Sequence, residues 1–225
     1  MHIDQIDNGI FRLLIPFEDI TTTVYIYVCH QGVAVIDSAT YPSDVDAYIV
    51  PALGKMNISY TDVKYLLLSH CHGDHTGGIH RLSEIFPKAI LGMSFAMDVP
   101  NRVDLEDGMR ILGNLHAVYL PGHADHSFGF YDASTKTLLS ADCLQLNGIG
   151  KYRKGIWDCD LYIDSVNKLK GMNVKRIVAA HEYDPLGSIA EGKTAVMRYL
   201  NMCIEIAEIR KTECIIKHSS HPCRG

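Results

Sequence analysis

The stretch Ser69-His70-Cys71-His72-Gly73-Asp74-His75-Thr76-Gly77-Gly78 concentrates three histidines and one aspartate within six residues. It follows the apolar run at 63–68, and a short run of this kind predicts a buried β-strand. Ligands in α/β proteins gather at the carboxyl ends of such strands. Imidazole and carboxylate groups together suit a divalent ion such as Zn²⁺, and also iron or manganese. The stretch therefore predicts a metal site at the end of a strand.

The composition predicts a protein whose partner is neither nucleic acid nor a membrane. The chain has 225 residues, 47% of them hydrophobic, which is enough for a substantial core. Its formal net charge of −5 lacks the basic excess that attracts nucleic acid or an anionic membrane surface. No apolar run approaches the ~20 residues of a membrane-spanning helix. We expect a small-molecule substrate, and the sequence leaves the oligomeric state open.

Cysteine usage and the first residues predict a cytoplasmic location. The seven cysteines form neither a CxxC pair nor a disulfide framework, as expected of reduced thiols. The opening Met1-His2-Ile3-Asp4 lacks the positive-then-apolar layout of a signal peptide.

Apolar patterns divide the chain into two halves, each with strands followed by helices. Strands are predicted at 9–16, 22–29, 33–36, 63–68, 89–93, 109–112, 115–120, 128–131, 137–141 and 176–180. Two halves of this kind predict two sheets packed face to face with helices outside. We expect a single domain over residues 1–216 and a disordered tail at 217–225.

Capping signals predict the start of two helices, and apolar spacing predicts a third. Ser43, with Asp46 at the capping-box position, predicts a helix that Pro51 should kink or end. A second helix is predicted at about 160–170 from its apolar spacing. Ser188, with Glu191 at the capping-box position, predicts the start of the longest helix.

Three further polar residues follow strand-like runs and complete a ligand set. His123 comes after Pro-Gly, and Asp142 and His181 each close an apolar run. With the first cluster they total five histidines and two aspartates. That number suffices for two metal ions with one bridging carboxylate and an open position for water.

The order His-x-His-x-Asp-His, then His after Pro-Gly, then Asp, then His resembles the metallo-β-lactamase superfamily of metallohydrolases. The resemblance covers about residues 9–212 and implies an αββα sandwich of two mixed β-sheets flanked by helices, with a dinuclear site at one edge. It implies these ligands: His70, His72 and His123 for the first metal, Asp74, His75 and His181 for the second, and Asp142 as the bridge. It also implies that Asp37 orients the ligand loop from behind the metals, and that Asp74 contacts the nucleophile as a catalytic residue.

Within the superfamily, the segment Gly148-Ile149-Gly150-Lys151-Tyr152-Arg153-Lys154-Gly155 is similar to glyoxalase II. The resemblance implies that Lys151, and Tyr183 in His-Glu-Tyr, hold the thiol carrier of a substrate. Two features depart from that subgroup. Arg153 stands where its pattern has a tyrosine, and only 44 residues follow His181, too few for its helical C-terminal domain.

The resemblance therefore implies a dinuclear metal-dependent hydrolase. A hydroxide bridging two divalent ions, zinc first and iron or manganese as alternatives, would cleave a small-molecule thioester, ester or lactone. A mononuclear-iron, sulfur dioxygenase-like oxidoreductase and a phosphodiesterase of the same fold remain alternatives. Cys71 and Cys143 adjoin ligands but are interpreted as buried, inert thiols, because extended backbone would turn them away from the metals. His116 and His126 are interpreted as surface or substrate-pocket residues.

Overall fold

The computed structural model describes residues 2–144, 155–182 and 187–219, and the side chains of the last helix as far as residue 212. The first sheet has seven strands in the order of the chain: β1 (Ile3–Asp7), β2 (Ile10–Phe17), β3 (Ile20–Cys29), β4 (Gly32–Ile36), β5 (Val63–Leu67), β6 (Ile90–Met93) and β7 (Arg102–Asp104). Strands β1 to β4 pair antiparallel, and β4 to β7 pair parallel.

The second sheet has six strands, again in the order of the chain: β8 (Arg110–Leu112), β9 (Leu115–Tyr119), β10 (Phe128–Asp132), β11 (Thr137–Ala141), β12 (Arg176–Ala179) and β13 (Ile189–Glu191). Strands β11 and β12 pair parallel, whereas the other neighbours pair antiparallel.

Helices belong to each half of the chain. The first half contributes α1 (Pro42–Asp44), a π-helical turn (Val45–Ile49), α2 (Val50–Lys55), α3 (Gly73–Thr76) and α4 (Ile79–Ile85). The second half contributes α5 (Cys159–Gly171) and α6 (Lys193–Ser219). No helix in the described ranges is both long and apolar enough to cross a membrane.

Three apolar clusters hold these layers together. The middle cluster joins the sheets, with Tyr25 and Ile36 of the first sheet and Phe130 of the second among its members. One outer cluster packs Ile49 and other helical residues on the first sheet, and the other packs Tyr162 and other residues of α5 and α6 on the second. Burial of an apolar face on each side of both sheets produces the predicted αββα sandwich, which the structure confirms.

The strands predicted from the sequence correspond to β2–β6 and β8–β12, but the capping signal at Ser43 was misread. The first helix begins at Pro42, and Asp44 caps it by accepting a hydrogen bond from the Tyr41 N–H at 2.9 Å. The helical chain then continues through Pro51, contrary to expectation. Pro51 falls in the first turn of α2, where its missing N–H is tolerated, and the wider π-helical turn precedes it.

The capping box predicted at Ser188 was also wrong. The residues after Ser188 form the edge strand β13, paired antiparallel with β12, and α6 starts only at Lys193, after Gly192. Pairing with β12 satisfies the backbone groups of this segment, so the long-range ladder prevails over the local capping signal. The backbone of α6 continues to Ser219, into the segment expected to be a disordered tail.

Parallel pairing of β4 with β5 positions the ligand stretch. Ile36 lies opposite Leu67, and the Asp37 N–H donates to the carbonyl of Leu67 at 2.8 Å. Beyond these strand ends, the loop after β4 lies directly against Gly77. A Cβ on Gly77 would come within 1.7 Å of the Thr40 carbonyl oxygen. The Gly-Gly pair of the stretch is therefore required by close backbone approach.

Gly77→Ala should destabilise the fold by about 1–3 kcal/mol, because the methyl group would force two backbone segments apart. Gly54→Ala is the matched control, since nothing lies within 4 Å of a Cβ at that helical position. That control should stabilise the protein by about 0.4–1 kcal/mol, because alanine has less conformational freedom in the unfolded chain. Urea unfolding of both variants measures the difference. Equal urea midpoints for the two variants would contradict the close approach of Gly77 to the Thr40 carbonyl.

Candidate metal centre

Asp37 joins the end of β4 to the ligand stretch. Its side chain is fully buried, and it receives three hydrogen bonds. Oδ1 accepts from the Ser69 N–H at 2.8 Å, whereas Oδ2 accepts from the Ser69 hydroxyl at 2.9 Å and lies 2.8 Å from His75 Nδ1. One carboxylate thus fixes both the backbone that leads into His70 and the imidazole of His75.

The ligand stretch then turns through the short helix α3. The His72 carbonyl accepts from the N–H groups of His75 and Thr76 at 3.0 and 3.1 Å. From the loop after β4, Ser38 donates both its N–H and its hydroxyl to the His75 carbonyl, each at 2.8 Å. These contacts hold Asp74 and His75 on one turn, beside the end of β5.

Three imidazole nitrogens form the first group of candidate ligands. His70 Nε2 and His72 Nδ1 are 3.0 Å apart, and His123 Nε2 lies 3.2 and 2.9 Å from them. The ring planes cross at 79–83°. Zinc–nitrogen bonds of 2.0–2.1 Å in a tetrahedron separate neighbouring nitrogens by about 3.3 Å, so the spacing is close to that of ligands around one ion.

A second group lies beside the first and shares one carboxylate with it. His181 Nε2 is 3.1 Å from Asp142 Oδ1 and 3.3 Å from Asp74 Oδ2. His75 Nε2 is 3.2 Å from the same Asp74 oxygen and 3.6 Å from Asp142 Oδ1. The other oxygen of Asp142, Oδ2, lies 3.5 Å from His123 Nε2 in the first group. Asp142 therefore presents one oxygen to each group.

Besides His75, three of these histidines have a fixed partner for the ring nitrogen that points away from the cluster. His123 Nδ1 lies 2.8 Å from the Gly155 carbonyl, and His181 Nδ1 lies 2.7 Å from the Thr21 carbonyl. His70 Nδ1 donates to the Ser69 hydroxyl at 3.0 Å, because that hydroxyl itself donates to Asp37. A proton held on the outward nitrogen leaves the inward nitrogen free to bind a metal, which is the usual support of histidine ligands.

Charges in the second group shift the pKa values of its members. Burial lowers the pKa of His75, but Asp37, Asp74 and Asp142 outweigh it and raise that pKa well above its usual value. Burial also lowers the pKa of His181, but the charge and hydrogen bond of Asp142 outweigh it and raise that pKa to about 10. In the first group, burial and the neighbouring His75 and His123 lower the pKa of His70 well below its usual value. Carboxylates thus concentrate negative charge where a second cation would bind, and metal binding there would displace protons.

Two buried atoms support the fit of metal ions to this cluster. His75 Nε2 and Asp142 Oδ1 are buried, and neither has a hydrogen-bond partner among the residues that the structure describes. Buried polar atoms of this kind are rare in native proteins, and a bound ion is one explanation for them. The seven side chains expected as ligands lie together, as the sets His70, His72, His123, Asp142 and Asp74, His75, Asp142, His181, with ligand atoms within 4.8 Å of one another in each. Divalent metals fit this donor set, and the role of each residue as a ligand stays a prediction.

The candidate substrate-binding residues and the two cysteines beside the ligands have different outcomes. Lys151 and Tyr183 lie outside the described residues. Cys143 is buried, as expected, but Cys71 is exposed, so its interpretation as a buried thiol was wrong. Among the described residues, neither sulfur belongs to a candidate ligand group. The thiol pKa of Cys143 is raised by burial and by the neighbouring Asp142.

His126 has a structural contact that the sequence did not predict. It is half-buried on the loop before β10, and its Nε2 accepts from the Cys71 N–H at 3.2 Å. This bond ties the loop of one sheet to the ligand stretch of the other. His116 is half-buried within β9, opposite Arg110 and Tyr131.

Sequence reasoning missed the groups that support the ligands. Thr21 and Gly155 act through carbonyl oxygens, which no residue type signals. Thr23 was findable, because three consecutive threonines in an otherwise apolar strand indicate polar contacts inside the sandwich. Its hydroxyl donates to the Ala180 carbonyl at 2.5 Å, directly before His181.

The fold and this two-part cluster together define an αββα protein with a histidine–aspartate centre at one edge of its sheets. Residues 18–107 match the family model described as the metallo-beta-lactamase superfamily. A metallo-beta-lactamase of Cronobacter sakazakii, in a motif-mutant form, superposes with a TM-score of 0.72 at 17% identity, covering 99% of this chain and 100% of that one. The predicted resemblance to the metallo-β-lactamase superfamily is therefore confirmed, and the solved structures share its fold.

Curated relatives resemble this chain over part of their length. Hydroxyacylglutathione hydrolase 1 of Vibrio vulnificus is 31% identical over 140 residues, which is 60% of this chain and 53% of that protein. An atrochrysone carboxyl ACP thioesterase of Aspergillus aculeatus is 26% identical over 163 residues, which is 71% of this chain and 50% of that protein. The chain thus spans about half the length of these two relatives.

Asp37→Asn should weaken the binding of Zn²⁺ by about 10–100-fold, because an amide NH₂ would face the donors of Ser69 or His75. Asp46→Asn provides a control, since that aspartate is exposed and pairs with Arg81 on the surface. Competition with a chromophoric chelator measures both dissociation constants. An unchanged constant in Asp37→Asn would show that the buried carboxylate does not organise metal ligands.

Proposed function

We propose that this chain is a dinuclear metal-dependent hydrolase that cleaves small-molecule thioesters, other carboxylic esters or lactones. The observation that carries the proposal is the position of Asp142, with one oxygen beside His123 and the other beside His181. A carboxylate shared between two groups of imidazoles is an arrangement for two adjacent cations. Zinc is the first candidate, and iron or manganese suits the same donors.

The residues would divide the work as follows. One ion would be held by His70, His72 and His123, and the other by Asp74, His75 and His181. Asp142 would bind both ions. When bound, a pair of divalent ions lowers the pKa of water toward neutrality and polarises a carbonyl oxygen. In a thioester, attack by water breaks the carbon–sulfur bond and releases a carboxylic acid and a thiol.

Asp74 is the carboxylate best placed to meet the attacking water. Its side chain is 13% exposed, compared with 6% for Asp142, so it is the more accessible of the two. Burial raises the pKa of the Asp74 carboxyl, but the charge of His75 and the contact with His181 outweigh burial and hold that pKa well below its usual value. An ionised, accessible carboxylate can accept a hydrogen bond from the water and orient it toward the substrate.

The substrate class rests on the relatives and on motifs outside the described residues. Both relatives carry names of enzymes that hydrolyse thioesters, one of glutathione and one of an acyl carrier protein. Lys151 and Tyr183 stay candidates for holding the thiol carrier. A cation of this kind contributes a charge-assisted contact, which would suit a substrate with a carboxylate or amide tail.

The wider setting of the activity is also part of the proposal. A small molecule is the expected partner, because the net charge of −5 disfavours nucleic acid and an anionic membrane. The five cysteines whose side chains the structure describes are free thiols, in keeping with a cytoplasmic enzyme.

The purified protein should bind about two metal ions per chain, and Asp142→Ala should lower the occupancy of both sites. Loss of the shared carboxylate removes a ligand from each ion and leaves their charges facing each other without compensation. Elemental analysis of protein purified without added metal measures the ratio. One iron per chain, unaffected by Asp142→Ala, would favour the dioxygenase-like alternative over the hydrolase.

The test of the activity is a panel of substrates: a glutathione thioester, an N-acetylcysteamine thioester, an aryl ester, a γ-lactone and a phosphodiester. Turnover of a thioester, ester or lactone should exceed that of the phosphodiester. Asp74→Ala should reduce kcat/KM on the best substrate by about 10²–10⁴-fold. Cys71→Ala is the control and should stay within a few-fold of wild type. Preference for the phosphodiester, or an inactive but fully metallated Cys71→Ala variant, would refute the proposed mechanism.

A further inference from the structure

The inward face of β3 contacts the end of β12 at every second residue. The Tyr25 hydroxyl donates to the Val178 carbonyl at 3.1 Å, and the Thr23 hydroxyl donates to the Ala180 carbonyl at 2.5 Å. Two residues further along β3, the Thr21 carbonyl lies 2.7 Å from Nδ1 of His181. Side chains of alternate residues in a strand point to the same side, so one face of β3 contacts the segment that leads to His181 through the Tyr25 and Thr23 hydroxyls. The Thr21 backbone contacts the ring of His181 itself.

Arg12 extends these contacts beyond His181. It lies opposite Tyr25 in the pairing of β2 with β3, and only 7% of its surface is exposed. Nη1 donates to the Ser188 hydroxyl at 2.7 Å, and Nη2 lies 3.1 Å from Glu182 Oε1. The Ser188 hydroxyl in turn donates to the same Glu182 oxygen at 3.1 Å.

The Nε atom of the Arg12 guanidinium also has a hydrogen-bond partner, in the first sheet. Arg12 Nε donates to Asp4 Oδ2 at 2.9 Å, from the neighbouring strand β1. The cation is therefore fixed to the first sheet and reaches across the sandwich to two residues of the second. Its planar fork can bind several acceptors at defined angles, which a point charge cannot do.

We propose that Arg12 is a positioning residue for His181 in the second metal group. Glu182 directly follows His181, and Ser188 directly precedes β13, so one guanidinium holds both ends of the connection that leaves the metal centre. His181 is then located by Thr21 at its ring and by Arg12 at the next residue. The inference rests on the proposed function, because it assigns Arg12 a role only if His181 binds an ion.

Arg176 offers a matched control within the same fold. It also joins the two sheets, contacting Asp7 of β1 and Glu191 of β13. It stands at the start of β12, five residues before His181, which is roughly 17 Å along an extended strand. Both arginines thus contact β1 of the first sheet and residues after the start of β12 in the second, but only Arg12 does so beside the candidate metal centre.

The experiment compares Arg12→Met, Arg12→Lys and Arg176→Met with wild type. Stepwise dissociation constants for two Zn²⁺ ions are measured by chelator competition, together with urea unfolding of each metal-free variant. Arg12→Met should weaken one of the two ions by about 10–100-fold and leave the other within a few-fold. Arg12→Lys should recover part of that loss, because it keeps the charge. Arg176→Met should lower stability without changing the ratio of the two constants.

Several outcomes would overturn the inference. If wild type binds two ions and Arg12→Met binds both with unchanged constants, Arg12 has no positioning role and the proposed function stands. If wild type does not bind two ions, the proposed function fails and the inference fails with it. If Arg12→Met does not fold, Glu182→Ala replaces it, because the Glu182 side chain is 43% exposed. That variant should also weaken one ion selectively, and equal weakening of both, or of neither, would contradict the proposal.

Discussion

The buried carboxylate of Asp37 is the constraint on which the rest of the centre depends. It sits where the parallel strands β4 and β5 end, and it is fully enclosed while accepting from Ser69 and lying against His75. A buried charge is tolerated only when donors surround it, so its neighbours have little freedom to move. The same three contacts that satisfy Asp37 fix the start of the ligand stretch. Stability of the loop and geometry of the centre therefore have a common cause.

The candidate metal centre also requires both sheets, because its candidate ligands come from each. Four of them follow a strand of the first sheet, namely His70, His72, Asp74 and His75. The other three follow strands of the second sheet, namely His123, Asp142 and His181. Hydroxyls of β3 cross the sandwich at this edge, and apolar side chains fill the middle. The apolar middle holds the sheets together, and the polar edge sets their register. Small shifts between the sheets would separate the two halves of the cluster.

The residues that would carry out the reaction and those that would select the substrate lie in different parts of the fold. The candidate ligands lie at the shared edge, where His70, His75, His123 and His181 are each held by a partner outside the cluster. Substrate choice belongs to the segments around that edge, which vary among proteins that share the fold. Proteins similar to this chain accordingly carry the names of thioester hydrolases in some cases and of metallo-beta-lactamases in others.

The sequence by itself determined the strands β2–β6 and β8–β12, the sandwich and the residues that come together at its edge, whereas β1, β7 and β13 emerged only from the structure. Apolar runs that end in histidine or aspartate indicated the candidate ligands of each sheet, because strand ends of one sheet meet at one edge. The resemblance of their order to a known superfamily predicted that the two sets lie together. Only the tertiary structure decided the course of the chain after Ser188, where pairing with β12 prevailed over a local capping box. It alone revealed the carbonyl partners of His123 and His181 and the reach of Arg12 to Glu182. Those contacts join residues more than thirty positions apart in the chain, and a backbone carbonyl is present at every residue, so no local pattern can identify them.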